Sequence, residues 1–197
     1  MVGQRLTRRF AALALVAGLG LTGCGSLNDP SVAARVGDET IPVSFLQEQV
    51  REGLELVGAN PNDTSVVGES QRNLLRVMID FKLAAATGER LGVRVTQADI
   101  DREKRELRQQ QRQIPRGLID EYARFLAYSD ELAVKLLGRR PASVADQQEV
   151  DLRLRAEVAK TAREVGVEVN PRYGRWEGLG LAPLGGQLVR TRGEVRP

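Results

Sequence analysis

The chain has 197 residues with 29 basic and 26 acidic side chains, a formal net charge of +3, one cysteine and no histidine. The lack of histidine excludes Ser/His/Asp and Cys/His catalysis within the chain and removes the commonest zinc ligand, so we predict no catalytic residue, no metal site and no cofactor. The three arginines before residue 10 account for the whole basic excess. This balance argues against binding of nucleic acid by bulk charge.

The first 23 residues have the organisation of an export signal that is removed on processing. Arginines precede an uncharged run from Phe10 to Leu21, which is too short for a permanent membrane helix of about 20 apolar residues. Cys24 follows, with Leu21 three positions before it and Gly23 directly before it. This spacing resembles the lipobox of bacterial lipoproteins, so we predict lipidation of Cys24, membrane attachment through it and an extracytoplasmic location. The alternative is an ordinary secretory signal with an incidental cysteine.

Residues 24–32 are small and polar and include Pro30, which predicts a flexible tether. The character of the sequence changes at residue 33. Residues 33–36 predict a short strand, Gly37 supplies a tight turn, and a second extended segment follows before Pro42.

Two amphipathic helices are predicted next. Ser44 and Gln47 have the spacing of a capping box, which predicts the start of the first helix. Its apolar residues at helical spacing are Leu46, Val50, Leu54 and Val57. The second helix is predicted over residues 65–91 and is expected to be central, because its apolar stripe is broad. That stripe consists of Leu74, Leu75, Met78, Ile79 and Leu83, widened by Phe81, Ala84 and Ala85.

The third predicted helix, opened by Thr96 and Asp99, is polar along most of its length. Its apolar residues recur only at every seventh position, at Ile100, Leu107 and Ile114. Because one apolar residue in two turns is too little to bury a helix in a core, we predict a projecting arm. A coiled-coil seam is the alternative, and it lacks the second apolar position of each heptad.

Pro115 ends the arm, and a fourth helix is predicted to follow it. Ser129 is interpreted as a cap that separates this helix from a continuation. Ser143 and Asp146 then open the last helix, which is predicted to end near Gly166.

The C-terminal part begins with a predicted short strand at residues 167–169, which ends before Pro171. Tyr173 and Trp176 are expected to pack against the helical body as structural residues. Residues 178–197 mix glycine, leucine, arginine and proline without a sustained period. We therefore predict a loosely ordered tail over these residues.

Two segments resemble extracytoplasmic chaperones of the SurA and PrsA type. The first consists of Val36, Gly37, Asp38, Glu39, Thr40, Ile41 and Pro42, followed by Ser44 and Leu46. It is similar to the opening motif V-N-G-x-x-I-t-x-s-x-L of that family. The second consists of Val167, Glu168, Val169, Asn170, Pro171, Arg172, Tyr173, Gly174 and Trp176. It is similar to the segment that closes the domain in SurA-N-terminal-like lipoproteins of high-GC bacteria.

The resemblance implies a mostly α fold, a SurA-N-like helical chaperone domain over residues 33–177 with a projecting helical arm. It also implies one small two-stranded β pairing between the N- and C-terminal segments, with the strands at Val36 and Val169 adjacent. The implied function is binding of unfolded or newly exported polypeptides by a lipid-anchored, chaperone-like protein. The alternative is a lipoprotein adaptor or scaffold that binds one folded partner of the envelope.

Family members that isomerise prolyl bonds carry a parvulin domain between the arm and the closing helix. Here only residues 139–142 lie at that place, and the histidines of parvulin sites are missing. The resemblance therefore implies no isomerase activity, and we predict that the protein is not an enzyme.

The fourth helix and its continuation supply the candidates for a client-binding wall. They are Tyr122, Phe125, Tyr128, Leu132 and Leu136. Apolar and aromatic side chains of this kind suit contact with exposed segments of an unfolded client. The alternative is that each of them is a core residue at helical spacing.

Overall fold

The computed structural model describes residues 27, 29–110 and 112–184. The predicted export signal, the lipidation of Cys24 and the predicted tail beyond residue 184 lie outside the described residues. Among the described residues, no helix combines the length and the apolar character needed to cross a membrane.

The described part of the chain is mostly helical, as predicted. In chain order its elements are β1 (Val32–Val36), β2 (Glu39–Pro42), α1 (Val43–Leu56), α2 (Thr64–Arg90), α3 (Gln97–Gln109), α4 (Ile119–Leu137), α5 (Val144–Val165), β3 (Val167–Val169), β4 (Arg175–Glu177) and β5 (Gly180–Ala182). Single 3-10 turns precede α4 and follow β3.

β1 is the central strand of a small antiparallel sheet with the order β2-β1-β3. Val36 pairs with Val167 and Ala34 pairs with Val169, so the predicted pairing of the N- and C-terminal segments is confirmed. The hairpin with β2 adds a third strand, and Gly37 makes its turn with a φ of 57°.

Asn170, which follows β3, connects the end of that strand to β1 through hydrogen bonds. Its backbone N–H donates to the carbonyl oxygen of Ala33 at 2.9 Å, and its side-chain Nδ2 donates to the carbonyl oxygen of Val32 at 3.1 Å. The side-chain oxygen accepts a hydrogen bond from the backbone N–H of Arg172. Tyr173 follows and is buried in the main core.

Residues 178–182 were predicted as part of a loosely ordered tail, and that prediction is wrong. β5 pairs with β4 so that Leu181 lies opposite Trp176, and both side chains pack against the main core. Gly174, directly before β4, permits the close approach of β5, since a Cβ there would overlap the carbonyl oxygen of Ala182. Short glycine-rich strands carry too few side chains for a period to show in the sequence.

The predicted tether over residues 24–32 is too long at its C-terminal end. Leu27 is buried. The Asp29 carboxylate accepts hydrogen bonds from the backbone and the hydroxyl of Ser31, and the carbonyl oxygen of Ser31 accepts from the backbone N–H of Val43 at 2.8 Å. Residues 29–32 therefore belong to the folded body.

α2 lies at the centre of the fold, as predicted, and packs against α1, α4, α5 and β1. The inner half of its apolar stripe has no exposed surface. These fully buried residues are Leu75, Met78, Ile79 and Leu83. A buried polar contact joins α2 to α5, where the hydroxyls of Thr87 and Thr161 lie 3.0 Å apart.

The capping boxes predicted at Thr96 and Ser143 are both present. The one predicted at Ser44 is wrong, because β2 runs directly into α1 and Pro42 is its N-cap. Ser129 is not a cap either. Its hydroxyl donates to the carbonyl oxygen of Phe125 at 2.8 Å, and α4 continues through it without a break.

α3 does not project alone, so the predicted arm is corrected to a helical hairpin. Among the described elements α4 is its one extensive partner. Ile100 and Leu107 are buried against Ala123 of α4. Glu103 lies between them along the helix and is only 5% exposed, so a glutamate occupies the heptad position at which the sequence lacks an apolar residue.

The buried carboxylate of Glu103 destabilises this hairpin when it is ionised. Burial is the largest cause that raises the pKa of its carboxyl, and the charges of Glu106 and Asp130 raise it further. Arg102 partly offsets this through a hydrogen bond of 3.3 Å, although it also binds Asp99 at 3.0 Å. The ionised form of Glu103 is therefore disfavoured in the folded protein.

We predict that Glu103→Gln stabilises the protein at neutral pH. A raised pKa means that the folded state binds more protons than the unfolded state between the ordinary glutamate pKa of about 4.3 and the raised value. Stability is therefore lost as the pH rises through that window. Urea midpoints should show a more stable variant at pH 7 and no difference from wild type below about pH 4.

Glu69→Gln, at an exposed position of α2, is the control. A Glu103→Gln variant less stable than wild type at pH 7 would contradict the prediction.

We predict opposite effects for two glycine substitutions in α2. Gly88 is covered by the ring of Tyr128 from α4, and a Cβ there would lie 2.6 Å from Cε1 of that ring. A Cβ at Gly68 would meet Arg72 at an ordinary 3.8 Å. Alanine gains about 1 kcal/mol of helix propensity over glycine, whereas overpacking costs about 1–3 kcal/mol.

Gly68→Ala should therefore stabilise the protein by up to about 1 kcal/mol, and Gly88→Ala should destabilise it by about 1–2 kcal/mol. Chemical denaturation measures both. Equal stabilisation by the two variants would show that α2 and α4 do not approach each other closely at Gly88.

Candidate polypeptide-binding cleft

An open cleft of about 520 Å³ lies between α2, α4 and the connection from α3 to α4. We call it the aromatic cleft. Its apolar lining consists of Leu74, Val77 and Phe81 from α2, Ile114, Pro115 and Leu118 from the connection, and Tyr122 and Phe125 from α4.

The cleft arises because the apolar stripe of α2 is wider than the core that covers it. Its inner residues are buried against α1 and the sheet, whereas Leu74 is half-buried and Val77 is 40% exposed. On α4 the small residues Ala123 and Ala127 face inward and are fully buried. The larger Tyr122 and Phe125 lie beside them and form the opposite wall.

Three aromatic rings, one from α2 and two from α4, pack together in the lining of the cleft. The ring centroids of Phe81 and Phe125 lie 5.0 Å apart, and those of Phe81 and Tyr122 lie 5.6 Å apart. Tyr122 and Phe125 are stacked at 6.2 Å with 13° between their planes. Such contacts hold the rings in place, so the wall is largely formed before any ligand binds.

Two polar groups accompany the aromatic wall. Arg112 donates a hydrogen bond from Nη1 to the hydroxyl oxygen of Tyr122 at 2.9 Å. Burial raises the pKa of the Asp80 carboxyl, and Arg76, at 3.8 Å, partly offsets the effect of burial. The cleft therefore carries one cation at its rim and one carboxylate in its wall.

A second cleft of about 650 Å³ adjoins the aromatic cleft. It lies between α2, α4 and α5, and Asp80 and Phe125 line both clefts. Leu154 and Val158 of α5 supply further apolar lining. The two clefts thus meet at Phe125 and offer room for more than one side chain of a bound segment.

The five predicted client-binding residues lie in different environments in the structure. Tyr122 and Phe125 come together in the aromatic cleft. Tyr128 packs over Gly88, and burial raises the pKa of its phenol. Leu136 is half-buried and lines neither cleft. Leu132 lines the second cleft but has no exposed surface of its own.

The α2 wall of the cleft was not predicted from the sequence. Leu74 and Phe81 belonged to the apolar stripe expected to be core, and Val77 was not singled out. The sequence signal that could have revealed this wall was the width of the apolar stripe of α2. A stripe wider than one neighbouring element can cover indicates a second contact surface.

Among the described residues, no group of three or more acidic or cysteine side chains is placed to hold a metal ion. Comparison of the chain with protein-family models, with curated proteins and with solved structures found no match. The resemblance of the two terminal segments to SurA-type chaperones therefore stays a prediction.

Proposed function

We propose that this chain is a lipid-anchored, extracytoplasmic, chaperone-like protein that binds unfolded or newly exported polypeptides without catalysing a reaction. The observation that carries the proposal is the aromatic cleft. Its walls are mostly apolar and open to solvent, with Val77 40% exposed beside three packed aromatic rings. Uncovered apolar surface of this kind is typical of an interaction site.

The proposed binding energy comes from apolar side chains of the client. Burying one large apolar side chain contributes about 1.5–3 kcal/mol, whereas association costs at least about 4 kcal/mol in lost freedom. At least two side chains in the joined clefts are therefore needed, and they give weak and reversible binding. Weak contacts suffice for a protein that holds unfolded chains, because preferential binding of the unfolded state is what delays their aggregation.

The SurA-N-like assignment is part of this proposal. It is supported by the resemblance of the two terminal segments and by the antiparallel pairing of β1 with β3, which that resemblance implies. The connection between α4 and α5 covers only residues 138–143, which leaves no place there for an inserted isomerase domain.

We predict that a charge in the aromatic cleft weakens the holding activity. Val77→Asp places a carboxylate among apolar side chains that a client must desolvate, which costs binding energy. The matched control is Leu152→Asp, since Leu152 is 71% exposed on α5 and lines none of the clefts described here. Light scattering of several unrelated unfolded clients measures the activity.

Wild type and Leu152→Asp should delay aggregation equally, and Val77→Asp should need about tenfold more protein for the same delay, which corresponds to a loss of about 1.4 kcal/mol. An unimpaired Val77→Asp variant with unchanged thermal stability would rule out this cleft. Absence of any effect of the wild type on all clients would instead favour the adaptor alternative.

The proposed anchor predicts a defined mature N-terminus. Mass spectrometry should find Cys24 as the first residue, carrying acyl chains that each contribute about 0.8 kcal/mol per buried CH₂ group. Cys24→Ala should release the protein from membranes or block its processing. A mature chain that begins at another residue, or a Cys24→Ala variant that is processed normally and stays membrane-bound after a high-salt wash, would contradict the anchor.

A further inference from the structure

A polar cleft of about 730 Å³ lies against α1, on the other side of the connection between α3 and α4. We call it the α1 cleft. Ile114 lines both this cleft and the aromatic cleft, so the two are neighbours across one side chain. Phe45 and Leu56 add apolar surface, and the remaining lining is mostly charged.

Gln49 is a buried polar residue in the wall of the α1 cleft. It is only 2% exposed, and its Oε1 has no hydrogen-bond partner among the described residues. Its carboxamide lies against Gly117, where a Cβ would be 2.7 Å from both Oε1 and Nε2. Leaving such a group unpaired costs about 1–3 kcal/mol, whereas the peptide group of a ligand can both donate to a carboxamide and accept from it.

The charges around Gln49 favour a basic ligand. Glu48, Glu52 and Glu55 follow one another at helical spacing on the face of α1 that lines the cleft. Glu52 is already engaged, since it accepts a hydrogen bond from the backbone N–H of Arg116 at 3.1 Å and pairs with its guanidinium at 3.6 Å. Glu48 and Glu55 are exposed and have no ion pair among the described residues, and Arg51 is the single further cation in the lining.

We propose that the α1 cleft binds the main chain of a client at Gln49 and a lysine or arginine side chain at Glu48 and Glu55. An apolar side chain of the same segment then lies across Ile114 in the aromatic cleft. This inference rests on the proposed function of the aromatic cleft and specifies its clients, which are unfolded segments with a basic residue close to an apolar one. An acidic segment is disfavoured because Glu48 and Glu55 repel it.

The test uses three labelled peptides with the same apolar residues and one variable position, which is Lys, Gln or Glu. Fluorescence polarisation at low salt should give the tightest binding for the Lys peptide and the weakest for the Glu peptide, with about a fivefold to tenfold ratio between them. The ratio should shrink at high salt because the charges are exposed to solvent.

Two variants separate charge recognition from main-chain recognition. Glu48→Gln/Glu55→Gln changes exposed residues, so it should fold normally and remove the difference in affinity between the three peptides. Gln49→Met keeps a similar volume and should weaken all three peptides by the same factor. A merely structural role of Gln49 would leave the peptide affinities unaltered in this variant.

Equal affinity of the three peptides for wild type would overturn the inference and leave the proposed function intact. If none of the peptides binds, both fail. If wild type is a dimer in solution and Glu48→Gln/Glu55→Gln is a monomer, a second copy of the chain occupies the α1 cleft and the inference is overturned.

Discussion

The antiparallel pairing of β1 with β3 is the contact on which the described fold depends. It joins the two ends of the helical body, and closing a loop of that length costs of the order of 4 kcal/mol. The strand hydrogen bonds, the buried Ala33 and Ala34 and the Asn170 side chain offset this cost. In the closed body α1 and α5 both pack against α2, and the inner half of its apolar stripe is buried.

The outer half of the same stripe explains how the fold produces a binding surface. α4 approaches α2 closely at Gly88, where Tyr128 covers the glycine. The connection from α3 returns to the body through Ile114 and Pro115 and leaves the aromatic cleft beside Phe81. Apolar residues of α2 that are not buried in the core thus remain in contact with solvent.

Apart from the pairing of β1 with β3, which the family resemblance implied, the features predicted correctly from the sequence are mostly local ones. The capping boxes at Thr96 and Ser143 were predicted because the side chain and its target lie three residues apart. Ser44 has the same spacing and is not a cap, because α1 begins before it at Val43, whose N–H donates to the distant carbonyl oxygen of Ser31. Glu103 in the hairpin seam and the α2 wall of the cleft depend on packing between distant segments, which periodicity does not report.

The most direct test of the central claim, that the aromatic cleft contacts unfolded polypeptide, is site-specific photo-crosslinking. A photoreactive residue in place of Gln113, which is exposed at the aromatic cleft, is compared with one in place of Gln148, which is exposed on α5. We expect adducts with an unfolded client from position 113 and few from position 148. Equal yields at the two positions, or adducts from position 148 alone, would contradict it.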